Sequence, residues 1–565
     1  MTFKKITALL LLIAVLFSFC SCFSLLKYIL TAPEDQTEET PTESETDDET
    51  VNHGASSDDG QDYDVLNYTY DESVISRLES RFTQLDAYIA ENDIEKYDEF
   101  KECYDAQEDD IYYLGDHAGI FYIQFSLDTS KEDISDKYQE LSDLRTEHAF
   151  HLIGYYDDIY NSVFKDKFYE DWTEEDIEDA LILAKLQDDE IIAIRKQVSD
   201  LETKFNKLDS SAADYNDQSG KIYEQIVRLN MQMAAKLGFD SYTEFAYKYM
   251  YDRDFTPEDA QKMYQYVKDY IVPLGTALFN KLVNYDNINK VVKDCQTLSD
   301  KTLSKKQVTE KLTPYYQKLG GKTPEVFEQW LKSYYTSTSK NARDGAFTSF
   351  LDYYGFPVCY FSSSYRNLMT FVHEQGHYQA FTISEHSISS YDLCETQSQG
   401  NEWLFLSYYG DNYKADYFKY IASYNMYDNA LQIALCTCCD AFEQYVYAHP
   451  ELTAADYDRV FIEQAQAIGV YDFLDGMLSI QPEDYWHMAI VDCSLYYLSY
   501  AVSNIPSIEL LVISEEEGFE KAANIYLSLL EVEEDAGFNE TITAAGLDSP
   551  FSEEIYKRLY NYFNF

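Results

Sequence analysis

The sequence is short of turn formers and of positive charge. Of its 565 residues only 20 are Gly and 11 are Pro, too few to punctuate many short strands, so long helices are expected. Lys and Arg number 43 against 101 Asp and Glu, a formal net charge of -58. That balance excludes nucleic acid as a partner, because such binding needs basic side chains to neutralise phosphate. It also opposes an anionic membrane surface. Cationic peptides are the partners an acidic surface attracts, although solvation alone accounts for most of the charge. What the chain has in abundance is aromatic residues, 16% of the total with 54 Tyr, material for a large core and for polar tips in a cleft. There is no internal repeat and no alternation of strand and helix patterns. The expectation is a mainly helical, all-α body.

The N-terminus reads as an export signal. Lys4 and Lys5 precede the apolar run Ile6–Phe19, and Ser21 stands just before Cys22. This end resembles a bacterial lipoprotein signal over residues 1–21, with Cys22 as the lipidated first residue of the mature chain; Phe19 stands where Leu is usual. The apolar stretch also continues to Leu26, about 21 residues, enough to span a bilayer uncleaved. The lipoprotein is favoured over the signal anchor. Both readings keep Lys4 and Lys5 inside and place the body outside the cytoplasm, anchored to the cell membrane. Residues 22–65 then form an acidic tether: no Lys or Arg occurs between Lys27 and Arg77, and like charges extend such a segment.

A helical region is expected over 66–205 and a catalytic body over 206–565. Val74, Ile75, Leu78, Phe82, Leu85, Tyr88 and Ile89 recur at helical steps. Thr173-Glu-Glu-Asp176 and Thr256-Pro257-Glu-Asp259 read as helix starts, and Gly320-Gly321 with Pro324 as a turn between helices. Leaving aside Cys20 and Cys22, the cysteines lie in an exported body whose size requires no disulfide. Cys436, Cys438 and Cys439 fall in the apolar run LQIALCTCCDAF and read as packed thiols rather than a second metal site.

The chemistry is carried by TFVHEQGHYQAF, residues 370–381. His373 and His377 are one helical turn apart, roughly 6 Å, so both imidazoles can reach one ion. Glu374 is then placed as general base for a metal-activated water. A catalytic zinc needs a third protein ligand. Ten residues after His373, where one class of zinc peptidase has a histidine, stands Ile383. The other route is a carboxylate from a following helix. SEHSISS (384–390) breaks the first helix and YDLCETQSQGNEW (391–403) begins the next. Glu395 returns beside the His pair as the third ligand, and Glu402, two turns on, orients a ligand histidine. Glu385 and His386 are weaker rivals, since a continuing helix carries them about 12 Å past His377. His148 and His151, three apart without an acid at ligand spacing beyond Glu147, read as core or surface residues.

HEQGH followed by E-T-Q-S-Q-x-x-E resembles the thimet-oligopeptidase and oligoendopeptidase F family of zinc metallopeptidases. RDFTPEDAQKMYQYVKDYIVPL (253–274) and RDGAFTSFLDYYGFPVCYF (343–361) resemble its oligoendopeptidase F branch. The resemblance implies an all-helical, elongated two-lobed ellipsoid split by a deep channel, with one Zn2+ at its floor and entry restricted to short unstructured peptides. It also implies oxyanion donors from a His and several Tyr near the C-terminal end. In PEDYWHMAIVDCSLYYLSY (482–500) these map to His487, and to Tyr500 with Tyr497 or Tyr496; Asp492 stands where thimet-type members have Tyr. The carboxypeptidase Taq family shares HExGH and a similar E-S-Q-S stretch.

The expected function is an exported, membrane-tethered zinc oligoendopeptidase with His373, His377 and Glu395 as ligands and Glu374, His487, Tyr497 and Tyr500 as catalytic residues. The alternatives are a metallocarboxypeptidase of the Taq type and a catalytically weak peptide-binding lipoprotein on the same scaffold.

Overall fold

The computed structural model describes residues 64–299, 301–337, 339–472, 484–491 and 493–565. The signal segment and nearly all of the acidic tether lie outside the described residues. The body begins slightly earlier than the sequence pattern indicates: Val65 is fully buried and its N–H bonds the Tyr335 hydroxyl at 3.0 Å.

The fold is helical almost throughout. The periodic apolar residues at the start form one face of the helix Ser73–Glu91, burying Val74, Leu78, Phe82 and Leu85. That helix packs on α1 (Tyr97–Leu127), which pairs along its length with α2 (Glu132–Tyr160). His148 and His151 stack on Phe82 at the edge of this core, His148 half-buried and His151 exposed. Both expected helix starts are capping boxes: the Thr173 and Thr256 side chains accept from the Asp176 and Asp259 amides, whose carboxylates accept in return. Gly320 and Gly321 adopt positive φ, 85° and 60°, between the helices Lys305–Leu319 and Thr323–Ser333. Among the described residues no helix is long and apolar enough to cross a membrane.

One element was not legible in the apolar pattern. β1 (Tyr334–Thr336), β2 (Ala346–Leu351) and β3 (Phe356–Phe361) make a small sheet in the order β1-β3-β2. β3 runs parallel to β1 and antiparallel to β2, with Thr348 opposite Cys359. Every residue of β3 is buried, so FPVCYF shows a continuous apolar run instead of an alternating one.

Behind the sheet lies α3 (Leu368–Ser384), which packs on β2 and β3. Asn367 caps it by accepting from the Thr370 amide at 2.9 Å, and Glu385 ends it in the left-handed conformation, φ 66°. The serine-rich break follows, and Ser390 caps α4 (Tyr391–Gly410). α4 is buried nearly all round between α3 and α6 (Leu498–Glu517). Serines allow the close approach of α6: Ser503 donates to Gln399 Oε1 at 3.1 Å and Ser507 to the Thr396 carbonyl at 3.3 Å. α5 (Ala415–Ala448) packs against α6 and carries Cys436, Cys438 and Cys439, all buried.

Candidate metal centre

α3 and α4 bring His373, His377 and Glu395 together. One ligand atom from each lies within 4.8 Å of the other two, and this is the one such group of three among the described residues. The helix break is what allows it. Had α3 continued, Glu395 would lie far along the same rod, whereas the turn at 385–390 folds it back beside the histidines. The rivals are not recruited: Glu385 is the exposed end of α3, and His386 is bonded through Nδ1 to the Ser387 carbonyl.

Two contacts fix how close the helices come. A Cβ on Gly376 would lie 2.6 Å from Ser398 Cα and 2.8 Å from the Gln397 carbonyl oxygen, so the helices touch backbone to backbone. Asn401 ties them by donating from Nδ2 to the Val372 carbonyl at 2.7 Å. The spacing of the two helices thus rests on residues outside the ligand set. The glycine of HEQGH is the signal that points to it, because glycine inside a buried helix marks a close neighbour.

Around the cluster, hydrogen bonds orient His373, Glu395 and Glu374. Glu402 Oε1 lies 2.7 Å from His373 Nδ1, which leaves Nε2 turned towards Glu395 Oε2 at 3.7 Å. Ser398 donates to the other side of the same pair, onto Glu395 Oε2 at 3.1 Å. Glu374 is buried, and its Oε2 accepts from the Thr348 hydroxyl of β2 at 2.7 Å. Thr348 also reaches the Glu374 carbonyl at 3.1 Å. Thr348 was not found from the sequence; only the β2–β3 register shows which of AFTSFL faces α3.

The electrostatics match a cation site. Burial alone would depress the His373 imidazole, but Glu402, with Glu395 and Glu374, outweighs it and holds the ring up at about 10. Burial and the neighbouring His373 push His377 well below its ordinary value. Burial pushes Glu374 up to about 7, helped by Glu395 and Glu402 and opposed by His373 and Thr348. Three carboxylates thus converge on the two imidazoles. The donor set suits zinc: two imidazoles and a carboxylate leave a fourth position open. The 3.7 Å between His373 Nε2 and Glu395 Oε2 is near the about 3.4 Å edge of a tetrahedron with 2.1 Å arms.

The tyrosines lie against the start of α4, the helix that carries Glu395. Tyr496 and Tyr500 join at their hydroxyls, 3.0 Å apart, and Tyr496 packs edge-on against Tyr391, one helical turn before Glu395. Tyr497 is half-buried, its ring 6.0 Å from Tyr496 and 6.3 Å from Tyr500. His487 lies against other helices: its Nδ1 is 2.7 Å from Ser219 Oγ, its Nε2 is 3.1 Å from Asp458 Oδ1, and its ring stacks on Trp486. Both of its nitrogens thus have protein partners in this structure. Asp492 lies outside the described residues.

PZ peptidase A, solved with an inhibitor, superposes with a TM-score of 0.70 at 19% identity, over 88% of this chain and 98% of that one. The fold is that of the oligoendopeptidases. The oligoendopeptidase F of Enterococcus faecium matches with a TM-score of 0.53 at 13% identity, covering 87% of this chain and 95% of its own. Metallocarboxypeptidase 1 of Trypanosoma cruzi matches with 0.54 at 12% identity, over 83% and 99%. No protein-family model matches the chain, and no curated protein matches its sequence.

Proposed function

We propose that this chain is a zinc metalloendopeptidase that cuts internal bonds of short oligopeptides, exported and tethered to the cell membrane. The observation that carries the reading is the convergence of His373, His377 and Glu395 from two helices, with Glu374 beside them and Glu402 behind. When bound there by these three residues, zinc supplies Lewis acidity, acidifying water and polarising a carbonyl. The rest is the work of the chain. Glu374, buried and raised to about 7, takes a proton at a carboxylate oxygen from the attacking water and delivers it to the leaving amine. Thr348 keeps that carboxylate in one rotamer. Glu402 holds the His373 ring so that Nε2 presents its lone pair. The hydroxyls of Tyr496 and Tyr500, with Tyr497 beside them, donate to the oxygen on which negative charge develops.

The acidic balance of the chain, -58 overall, supports a preference for cationic peptides. The signal-like start with Cys22 supports attachment through an N-terminal lipid, with an uncleaved anchor as the other route. Labelling with a radioactive fatty acid separates the two: label on the wild type that is lost in Cys22→Ala supports the lipid, and a membrane-bound wild type without label supports the anchor.

A carboxypeptidase remains a second reading because the scaffold of metallocarboxypeptidase 1 also superposes. Mass spectrometry of mixed peptides incubated with the zinc-loaded full chain decides. Internal cuts that stop in Glu374→Gln support the endopeptidase. Stepwise loss of single C-terminal residues supports the carboxypeptidase. Zinc binding without any cleavage would leave a peptide-binding lipoprotein.

A further inference from the structure

Leu495 immediately precedes the tyrosine pair and adopts φ 63°, one of few non-glycine residues in the left-handed region. Its side chain is fully buried, so neither a solvent-exposed turn nor a small side chain accounts for the conformation. A leucine keeps that backbone only where its surroundings over-determine it.

The surroundings do so peptide by peptide. Glu443, from α5, accepts the Leu495 N–H with both carboxylate oxygens, each at 2.9 Å. Arg253 donates from Nη2 to the Leu495 carbonyl at 2.9 Å, and Tyr251 donates to the preceding Ser494 carbonyl at 2.5 Å. Arg253 reaches further. The same Nη2 contacts Ser499 Oγ at 3.2 Å in the first turn of α6, and Nε lies 3.5 Å from Asp392 Oδ2. Asp392 stands in the first turn of α4, less than one turn before the metal-binding Glu395. Both members of that ion pair are wholly buried, and the guanidinium lies over the faces of Tyr247 and Tyr251 at 4.3 and 4.7 Å. One buried cation therefore holds the helix that presents the metal ligand and the loop that presents the tyrosines.

We propose that Arg253 and Glu443 form a clamp that keeps Leu495 left-handed and thereby sets the Tyr496–Tyr500 pair against the metal-binding helix. They are positioning residues: neither touches the ligand cluster, and both act through the peptide groups that flank Leu495. This inference rests on the tyrosine role given under the proposed function. Arginine suits the task because its planar fork serves several acceptors at once, whereas lysine offers a single point of charge.

The test uses the full chain and the variants Arg253→Lys, Glu443→Gln, Tyr496→Phe and Arg253→Lys with Tyr496→Phe. Hydrogen exchange across 493–500 is read first, because it needs no activity. Arg253→Lys should speed exchange in this segment about tenfold while the rest of α3 and α4 stays protected. Zinc per chain should hold at the wild-type level. On a quenched-fluorescence peptide, kcat should fall about tenfold with KM within about twofold. In the Tyr496→Phe background the same substitution should cost less than about threefold, because the group it positions is already gone. Unchanged exchange at 493–500, an equal kcat loss in both backgrounds, or loss of zinc would overturn the clamp. Should Arg253→Lys not fold, Glu443→Gln, which keeps the volume and one acceptor, carries the same comparison. A wild-type chain that cleaves no peptide refutes the peptidase reading instead, and the exchange measurement still decides whether the clamp exists.

Discussion

The hydroxyl of Thr348 on β2 donates a 2.7 Å hydrogen bond to Oε2 of Glu374 on α3. The small sheet therefore reaches the candidate site directly, through a side chain that packs against Glu374, the proposed general base. Thr348→Val keeps the shape and removes the donor. We expect kcat to fall about tenfold, the scale of one lost hydrogen bond to a charged group, with zinc content and the unfolding midpoint little changed. Steady-state kinetics beside metal analysis check this; a loss of zinc would show that Thr348 supports the ligands instead.

Glu402 holds His373 from behind at 2.7 Å. Glu402→Gln retains a hydrogen-bonding oxygen but loses the charge that fixes the ring and raises its basicity. Zinc affinity should drop by about 10- to 100-fold. Competition with a chelating dye measures it, and an unchanged affinity would contradict the orienting role.

His487 is bonded at both nitrogens and stacked on Trp486. Its replacement by Phe should cost about 1–3 kcal/mol of stability, because Ser219 and Asp458 lose their partner. At a temperature where the variant is folded, kcat should stay within about threefold of wild type. A loss of kcat by orders of magnitude in a fully folded, zinc-loaded variant would restore the histidine to the catalytic set.

The N-terminal helices carry a pH response of their own. Burial holds the His117 imidazole down, from 6.5 to about 4, with Nε2 paired to the Tyr354 hydroxyl at 2.8 Å. The folded-state value lies below the unfolded one, so the stability contributed by the neutral ring is whole above pH 6.5. It is lost as pH falls from 6.5 towards about 4. His117→Gln, which keeps a partner for Tyr354 and does not titrate, should narrow the drop in urea midpoint between about pH 7 and pH 5. An unchanged drop would place the acid sensitivity elsewhere.

The parts of this molecule that were legible in the sequence are those governed by local rules. Thr173 and Thr256 cap helices because capping depends on four adjacent residues. His373, His377, Glu395 and Glu402 converge because helical pitch and one serine-rich break determine which side chains can meet. What was missed depends on contacts between distant segments. Thr348 faces Glu374 only by virtue of strand register, and β3 hides its alternation because both of its faces are buried. His487 stands near the candidate tyrosines in sequence, yet Ser219 and Asp458, remote in sequence, lie against its two nitrogens. Arg253 stood in a stretch already singled out for its likeness to the oligoendopeptidases, but nothing local indicates that its partners are Leu495 and Asp392.

The contact between Gly376 and Ser398 has a consequence for which ions the cluster accepts. Backbone pressed on backbone acts as a hard stop that prevents α3 and α4 from closing further, with no room for even a methyl group. The bonds from Asn401 to Val372 and from Glu402 to His373, both 2.7 Å, act as ties that prevent them from spreading. The bite of the three donors is thus gauged from both sides. An ion such as calcium, which gathers six to eight oxygens at about 2.3–2.6 Å, is therefore expected to bind far less tightly than zinc, on account of the calibre of the jaw as much as its nitrogens.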